Sequence, residues 1–314
     1  MVNGLKCRKI LMNIVMSRGV KELTETESRA CLLSASRCGM IDMVSSIVES
    51  GKVPRTDESF SRAFYYAAEN GDLDMLLMLF EHEKCHVDPN YHMRSFPKSS
   101  SIEDKDSQCE RALAMAASHG DARMVDVLIT RCGARVNETD RERRTALSYA
   151  ARNGYTEVVD LLITRYKARV EATDKYGQTA LMLAASGGHA DVVDLLITKG
   201  KANVEATDHG GATALMFAAD KGDPDVVDCL ISTYNASGYN LDATDNYDRT
   251  ALMGAALAGR TDVVDLLIVK GNANVEATGK VGWTALMLAA GQGNPDVVDL
   301  LITKGNANVE ATDE

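Results

Sequence analysis

One tripeptide returns along the chain at a nearly constant interval. Thr-Ala-Leu begins at residues 145, 179, 213, 250 and 284, so successive copies lie 34, 34, 37 and 34 residues apart. The surrounding residues return in the same order, most completely over 174–200, which reads DKYGQTALMLAASGGHADVVDLLITKG. A repeat of this length is one supersecondary unit that buries its apolar face only by stacking on its neighbours. The sequence therefore predicts a stacked array rather than domains with separate cores.

Each unit carries the signals of two short helices. Thr179 precedes an apolar run and can accept a hydrogen bond from an unpaired N–H of the first turn. Small residues such as Ala184 let neighbouring helices approach closely, and the second helix has an apolar stripe over 192–197. Gly188 and Gly200 are expected to end the first and second helices, with glycine in the left-handed conformation. Stability should come mainly from interfaces between adjacent units.

This pattern closely resembles the ankyrin repeat, which is a turn, two antiparallel helices and a loop in about 33 residues. The resemblance implies an all-α ankyrin-repeat solenoid of stacked helix-turn-helix units with short turns or hairpin loops. Ankyrin repeats usually have proline where this chain has Ala180 and histidine where it has Met182. Losing proline removes pre-set backbone geometry, which affects stability more than the fold.

The resemblance covers nearly all of the chain. Eight repeats are keyed by Ala30, Ala63, Ala112, Ala146, Ala180, Ala214, Ala251 and Ala285, and residues 10–19 match a lone second helix. We predict divergent ankyrin-like repeats over 1–105, with an inserted loop at about 81–105, and one continuous array of regular repeats over 106–314. A smaller insertion falls at 233–239.

Composition excludes several classes of protein. No apolar run approaches the roughly 20 residues that span a bilayer. The 45 acidic residues against 34 basic ones give a net charge of -11, which argues against nucleic acid as a partner. Seven irregularly spaced cysteines and no secretory signal favour the cytoplasm, with the nucleus still open. Five basic residues and no acid in the first 21 are also typical of a mitochondrial transit peptide, although a terminal helix of the array explains them better.

Carboxylates recur as pairs three residues apart on each predicted second helix of the regular repeats. They are Glu157, Asp160, Asp191, Asp194, Asp225, Asp228, Asp262, Asp265, Asp296 and Asp299. Paired carboxylates can catalyse acid/base reactions, but five copies on an outer helical face indicate a solvated surface. We assign them to solubility.

Partner contacts are implied by the resemblance, because ankyrin repeats hold proteins through their turn tips and the concave face of the first helices. The matching positions vary while the frame stays constant. Those we select are Arg141, Arg144, Arg152, Tyr176, Gln178, His209, Lys221, Tyr247, Arg249, Trp283 and Gln292. Aromatic and arginine side chains dominate binding at protein interfaces, which makes Trp283 the first choice as an anchor. The alternative for Trp283 is packing across the turn onto a neighbouring unit.

A group of arginines around the third and fourth repeats could receive an acidic segment of a partner. It consists of Arg131, Arg135, Arg141, Arg143, Arg144 and Arg152, against Glu138, Asp140 and Glu142. The alternative is that these arginines only offset nearby carboxylates in solution.

The sequence offers no catalytic machinery, and we predict no catalytic residue, no cofactor and no metal site. His82, His86 and His92 lie near Cys85 and Cys109, but their spacing fits no familiar zinc pattern. No phosphate-binding loop, dinucleotide turn or nucleophile elbow occurs. Cys31 and Cys38 are predicted to be buried apolar residues rather than nucleophiles.

The function that follows is noncovalent protein recognition by a scaffold or adaptor, and the protein is not predicted to be an enzyme. The alternative is a regulatory or targeting arm of a larger protein or enzyme complex, because residues 311–313 begin another turn. The last unit has no polar cap, which predicts missing sequence, a frayed last helix or self-association through that end.

Overall fold

The computed structural model describes residues 19–54, 57–82 and 112–312. Over these ranges the chain forms sixteen α-helices and no strand, which confirms the all-α prediction. The half-repeat before residue 19, the loop beyond residue 82 and the predicted boundary at 105/106 lie outside the described residues.

The chain divides into two compact units, Met1–Glu142 and Arg143–Glu314. In the first unit a 3-10 turn at Val20–Glu22 is followed by six α-helices. They are α1 (Glu25–Arg37), α2 (Ile41–Ser50), α3 (Glu58–Glu69), α4 (Leu73–Glu81), α5 (Ala112–Ser118) and α6 (Ala122–Thr130).

These six helices form three pairs, α1 with α2, α3 with α4 and α5 with α6, and α3 packs against both α1 and α5. The first helices α1 and α3 have 13 and 12 residues, because Thr24 and Asp57 cap them well before Ala30 and Ala63. An additional helical turn therefore precedes these key alanines, at the place where the regular repeats have a capped turn tip.

The second unit contains five helix pairs. Its helices are α7 (Ala146–Arg152), α8 (Thr156–Asp160, continued by a π-helix at Leu161–Arg165), α9 (Ala180–Gly187), α10 (Ala190–Thr198), α11 (Ala214–Lys221), α12 (Pro224–Ser237), α13 (Ala251–Leu257), α14 (Thr261–Val269), α15 (Ala285–Gln292) and α16 (Pro295–Thr303). The odd-numbered helices pack side by side as a first-helix row, and the even-numbered ones form a second-helix row.

The first helices begin where the threonines predict. In α9 the Thr179 hydroxyl accepts a hydrogen bond from the Met182 N–H at 3.4 Å, and every regular repeat of the second unit has the same cap. Ala184 and Ala185 have no exposed surface, so the first helices of adjacent repeats lie in close contact. Met182, at the position of the family's histidine, is also buried and contributes to this core.

The ends of the helices confirm one glycine prediction and correct the other. Gly188 ends α9 with φ 79°, as predicted, but the left-handed residue after α10 is Lys201, with φ 56°. Gly200 is needed for space, because a Cβ there would lie 2.5 Å from the Leu196 carbonyl oxygen. The equivalent of Gly200 after α8 is Tyr166, and there the helix end widens into the π-helix.

The insertion at 233–239 lengthens a helix rather than a loop, because α12 continues to Ser237. Tyr234 packs into the core, where its hydroxyl donates a hydrogen bond to the Val204 carbonyl oxygen at 2.9 Å. The Asn235 amide donates to the Lys270 carbonyl oxygen at 3.1 Å, which caps the end of α14. The additional residues are thus tied to the repeats on both sides.

The same polar contact recurs between adjacent repeats along the second-helix row of the second unit. Lys199 donates to Asp160 at 2.8 Å, and the pairs Lys270–Asp228 and Lys304–Asp265 repeat this contact. Three of the ten carboxylates assigned to a solvated face therefore also form ion pairs between repeats. Exposed ion pairs contribute about 0–1 kcal/mol each, so they fix register more than they add stability.

Tyr234 provides a test of the packing around the insertion. Burial raises the pKa of Tyr234 to about 12, whereas an unfolded tyrosine ionises near pH 10. Its stabilising effect is therefore complete below about pH 10 and is lost as the pH rises toward the folded pKa. In urea denaturation we expect the free energy of unfolding to fall more steeply between about pH 9.5 and 11 in the wild type than in Tyr234→Phe.

At neutral pH the Tyr234→Phe variant should be less stable by about 1 kcal/mol, since the Val204 carbonyl loses its donor. Equal alkaline slopes for the two proteins would show that Tyr234 is accessible to solvent.

Candidate functional site

The turn before each first helix is built around one aspartate. Asp174 Oδ1 accepts hydrogen bonds from the backbone N–H groups of Tyr176 and Gln178 at 2.8 and 2.9 Å, and the Asp174 N–H donates to the Gln178 carbonyl. Asp208 and Asp245 hold their turns in the same way. The residues between the aspartate and the threonine are therefore presented at a fixed tip.

Backbone hydrogen bonds join consecutive tips. The His209 N–H donates to the Tyr176 carbonyl at 2.9 Å, and the Asn246 N–H donates to the Gly210 carbonyl at 2.8 Å. Gly177 makes this approach possible, because a Cβ on it would lie 2.9 Å from the His209 nitrogen. The tips of the second unit therefore form one continuous edge, which we call the tip ridge.

Two repeats lack the turn glycine, but the residue in its place has the same backbone conformation. Arg143 and Asp248 occupy the position of Gly177 and have φ 61° and 57°. A residue with a Cβ is strained in this region by about 1–2 kcal/mol. The interactions around the turn therefore determine its geometry even where the residue is unfavourable.

The tip ridge exposes the three aromatic side chains predicted from the sequence. Tyr176, Tyr247 and Trp283 are 57%, 64% and 40% exposed. Lys175 Nζ lies 4.9 Å from the centre of the Tyr176 ring, and the Tyr247 ring has Lys280 Nζ at 5.7 Å. Exposed rings with adjacent cations offer a partner both apolar area and positive charge.

Arg249 has an internal role that the sequence did not reveal. Its Nε and terminal nitrogen donate to Asp245 Oδ2 at 2.9 and 2.7 Å, and its guanidinium lies 5.3 Å from the Tyr247 ring. Burial alone would raise the pKa of Asp245, but hydrogen bonds from Arg249 and the Tyr247 N–H lower it below the usual value. Arg249 thus stabilises its turn and supports the Tyr247 ring.

The remaining predicted contacts lie at the tips or at the ends of the first helices. Arg152, Lys221 and Gln292 are exposed at the carboxyl ends of α7, α11 and α15, and His209 is exposed at its tip. Gln178 is half-buried.

The predicted arginine group belongs to both compact units. In the first unit Arg141 is exposed, whereas Arg131 pairs with Glu81 and Arg135 pairs with Glu138. In the second unit Arg144 places its guanidinium 5.2 Å from the centre of the Tyr149 ring. Part of this group therefore offsets nearby carboxylates, as the alternative reading expected.

Sequence reasoning missed a set of contacts that cap the first helices from the next repeat. The His189 ring bonds to the Arg152 carbonyl oxygen at 3.0 Å, the Arg260 Nε donates to the Asp220 carbonyl, and the Asn294 amide donates to the Ala256 carbonyl. Carbonyls at a helix end lack intrahelical partners, so these side chains satisfy them. The sequence indicates these contacts only in that His189, Arg260 and Asn294 each directly follow the glycine at the end of a first helix.

Within the described part of the chain, no group of three or more potential ligands could hold a metal ion. Of the histidines and cysteines considered as zinc ligands, only His82 falls within those residues, and His86, His92, Cys85 and Cys109 lie outside them. Cys31 is buried, and burial raises the pKa of its thiol, whereas Cys38 is only half-buried. No described helix has the length and apolar character needed to cross a membrane.

The chain forms stacked helix pairs in which the capping and buried positions recur and the residues at the turn tips vary. This is the architecture of a helical-repeat protein. A family model described as ankyrin repeats (three copies) matches residues 97–174, 113–208, 165–237 and 215–313. These matches cover more than half of the sequence, and the chain belongs to the ankyrin repeat family. A comparison with curated proteins gives no match. Ankyrin repeats generally act as protein interaction modules.

The last tip differs because Gly279 replaces the turn aspartate, and we predict that Gly279→Asp stabilises the protein. Backbone bonds of the turn remain, with the Gly279 N–H donating to the Trp283 carbonyl at 3.0 Å. A Cβ at Gly279 would find its nearest neighbour at 3.7 Å, so a side chain fits. The restored carboxylate should accept hydrogen bonds from the N–H groups of Val281 and Trp283 and raise the free energy of unfolding by about 1 kcal/mol.

Gly279→Ala is the matched control, since it adds the Cβ without an acceptor. Urea denaturation should find the aspartate variant more stable than the alanine variant. Equal stability of the two variants would mean that the carboxylate does not bond to the last tip.

Proposed function

We propose that this protein is a noncovalent scaffold or adaptor that binds a partner protein through its turn tips and the exposed surface of its first helices. The tip ridge is the observation that carries this proposal. Tyr176, Tyr247 and Trp283 stand exposed on turns whose backbones are already fixed by hydrogen bonds. A preformed surface binds with little loss of conformational entropy, which favours affinity.

The chemistry of the ridge favours a protein partner. Tyrosine and tryptophan supply most of the binding energy at typical interfaces, and the ridge places Lys175, Arg249 and Lys280 around its tyrosines. The residues proposed to contact the partner are Arg141, Arg144, Arg152, Tyr176, Gln178, His209, Lys221, Tyr247, Arg249, Trp283 and Gln292. Within this set we propose that Arg249 acts mainly by orienting Tyr247.

We further propose that binding involves no catalysed reaction and takes place in the cytoplasm or the nucleus. Free thiols at Cys31, Cys132 and Cys229 are compatible with a reducing compartment. Burial raises the pKa of Cys132 to about 11, so this thiol is a poor nucleophile at neutral pH.

Affinity capture with the triple variant Tyr176→Ala, Tyr247→Ala, Trp283→Ala tests the proposal. Truncating each anchor of an interface costs about 2 kcal/mol or more, so we expect the amount of each specifically captured protein to fall at least about tenfold. The matched control is the triple variant Tyr239→Ala, Val269→Ala, Ile302→Ala, which removes exposed apolar side chains outside the tips. If both variants capture the wild-type set in wild-type amounts, the ridge is not the binding surface.

Self-association through the last repeat is a second proposed contact. Leu286 and Val298 are half-buried, whereas the equivalent Leu215 and Val227 of an internal repeat are buried. Light scattering should therefore detect a dimer at tens of micromolar, and Leu286→Glu should reduce it. A wild-type protein that is strictly monomeric at that concentration would rule this contact out.

A further inference from the structure

The first-helix row of the second unit has a gap at one position. The fourth residue after the capping threonine is Tyr149, Leu183, Phe217 or Leu288 in four of the five helices. In α13 it is Gly254. The row therefore carries large side chains on both sides of a residue that has none.

The backbone does not require glycine at this position. Gly254 lies inside α13 and has no positive φ, so any residue could adopt its conformation. A glycine inside a helix costs about 0.5–1 kcal/mol relative to alanine. The space of its missing side chain is occupied by Asp220, since a Cβ on Gly254 would lie 2.4 Å from Asp220 Oδ1.

Gly254 and Asp220 line a slot of about 40 Å³. Phe217, which is half-buried, forms one apolar wall, and Ala212 adds only a methyl group. Arg249 also lines it. We call this space the Gly254 slot.

The slot contains one carboxylate that has no hydrogen-bond donor. The Nε and one terminal nitrogen of Arg249 bond to Asp245, and Arg260 donates to the backbone carbonyl of Asp220 at 3.3 Å. Among the residues that the structure describes, none donates a hydrogen bond to the Asp220 side chain. Asp220 is exposed, so a partner can reach it, but partial burial of its carboxylate and the nearby Asp245 raise its pKa above the ordinary value, and Arg249 and Arg260 only partly oppose this effect.

We infer that the Gly254 slot binds the ammonium group of a lysine from the partner protein, a proposal that rests on the proposed function. The methylene chain of the lysine would lie along the Phe217 ring, and its nitrogen would donate to the Asp220 carboxylate. Phe217 and Asp220 place an apolar surface beside a carboxylate, which matches the methylene chain and the charged end of a lysine. The aromatic wall favours a cation as well.

The test uses n-butylammonium as a probe, with n-butanol as its neutral counterpart, in amide NMR titrations of the full chain. We expect n-butylammonium to shift the amide resonances of Phe217, Asp220 and Gly254 with an apparent dissociation constant at least about fivefold lower than that of n-butanol. Asp220→Asn should remove this preference. Gly254→Leu should fill the slot and abolish the shifts from both probes.

Equal affinities for the two probes in the wild type, or a preference that survives in Asp220→Asn, would overturn the inference. Circular dichroism of both variants establishes that the helices remain folded, and Gly254→Leu places a better helix former in α13. The probe titration needs no partner protein, so it tests the Gly254 slot separately from the tip ridge. The inference about the slot can be wrong while affinity capture still supports the tip ridge, and the slot can bind the probe while affinity capture rules out the tip ridge.

Discussion

The packing of each helix pair against the next is the constraint on which the rest of the structure depends. A pair of helices of seven to nine residues, such as α9 and α10, is too short to be stable alone, because helix formation has a costly nucleus. Ala184 and Ala185 are fully buried, so each pair relies on its neighbours for its core. The stability of such an array is approximately a sum of repeat and interface contributions. Residues far from any contact surface therefore hold the tips in place through this packing.

Polar contacts give the stack its register. Glu171 accepts a hydrogen bond from the Asn203 N–H at 2.9 Å, and Glu276 does the same for Asn308 at 2.8 Å. Three series of polar contacts therefore join adjacent repeats of the second unit: these glutamate–asparagine bonds, the lysine–aspartate pairs and the backbone bonds between tips. A repeat displaced by one position would lose all three kinds of contact. Apolar packing stabilises the stack, and the three series of polar contacts determine the register in which the repeats pack.

Much of the frame could be predicted from the sequence because its signals are local. The threonine caps, the left-handed Gly188 and the separation into helix pairs depend on residues within a few positions of one another. Contacts between residues more than thirty positions apart, such as His189 with the Arg152 carbonyl, leave no such local signal. The pairing of Arg249 with Asp245 was missed for another reason, since side-chain direction decides whether an arginine faces a partner or its own turn.

The lengthened helix α12 has a consequence for how the chain can vary. The repeat that contains it is 37 rather than 34 residues long, yet the Asn246 N–H still reaches the Gly210 carbonyl at 2.8 Å. The three additional residues therefore lengthen α12 in the second-helix row, and the hydrogen bond between the tips on either side is kept. A foreign peptide or fluorescent label inserted near Ser237 would extend the end of α12 and leave the hydrogen bonds between the tips in place, so the molecule has a natural attachment point outside the surface proposed for partner binding.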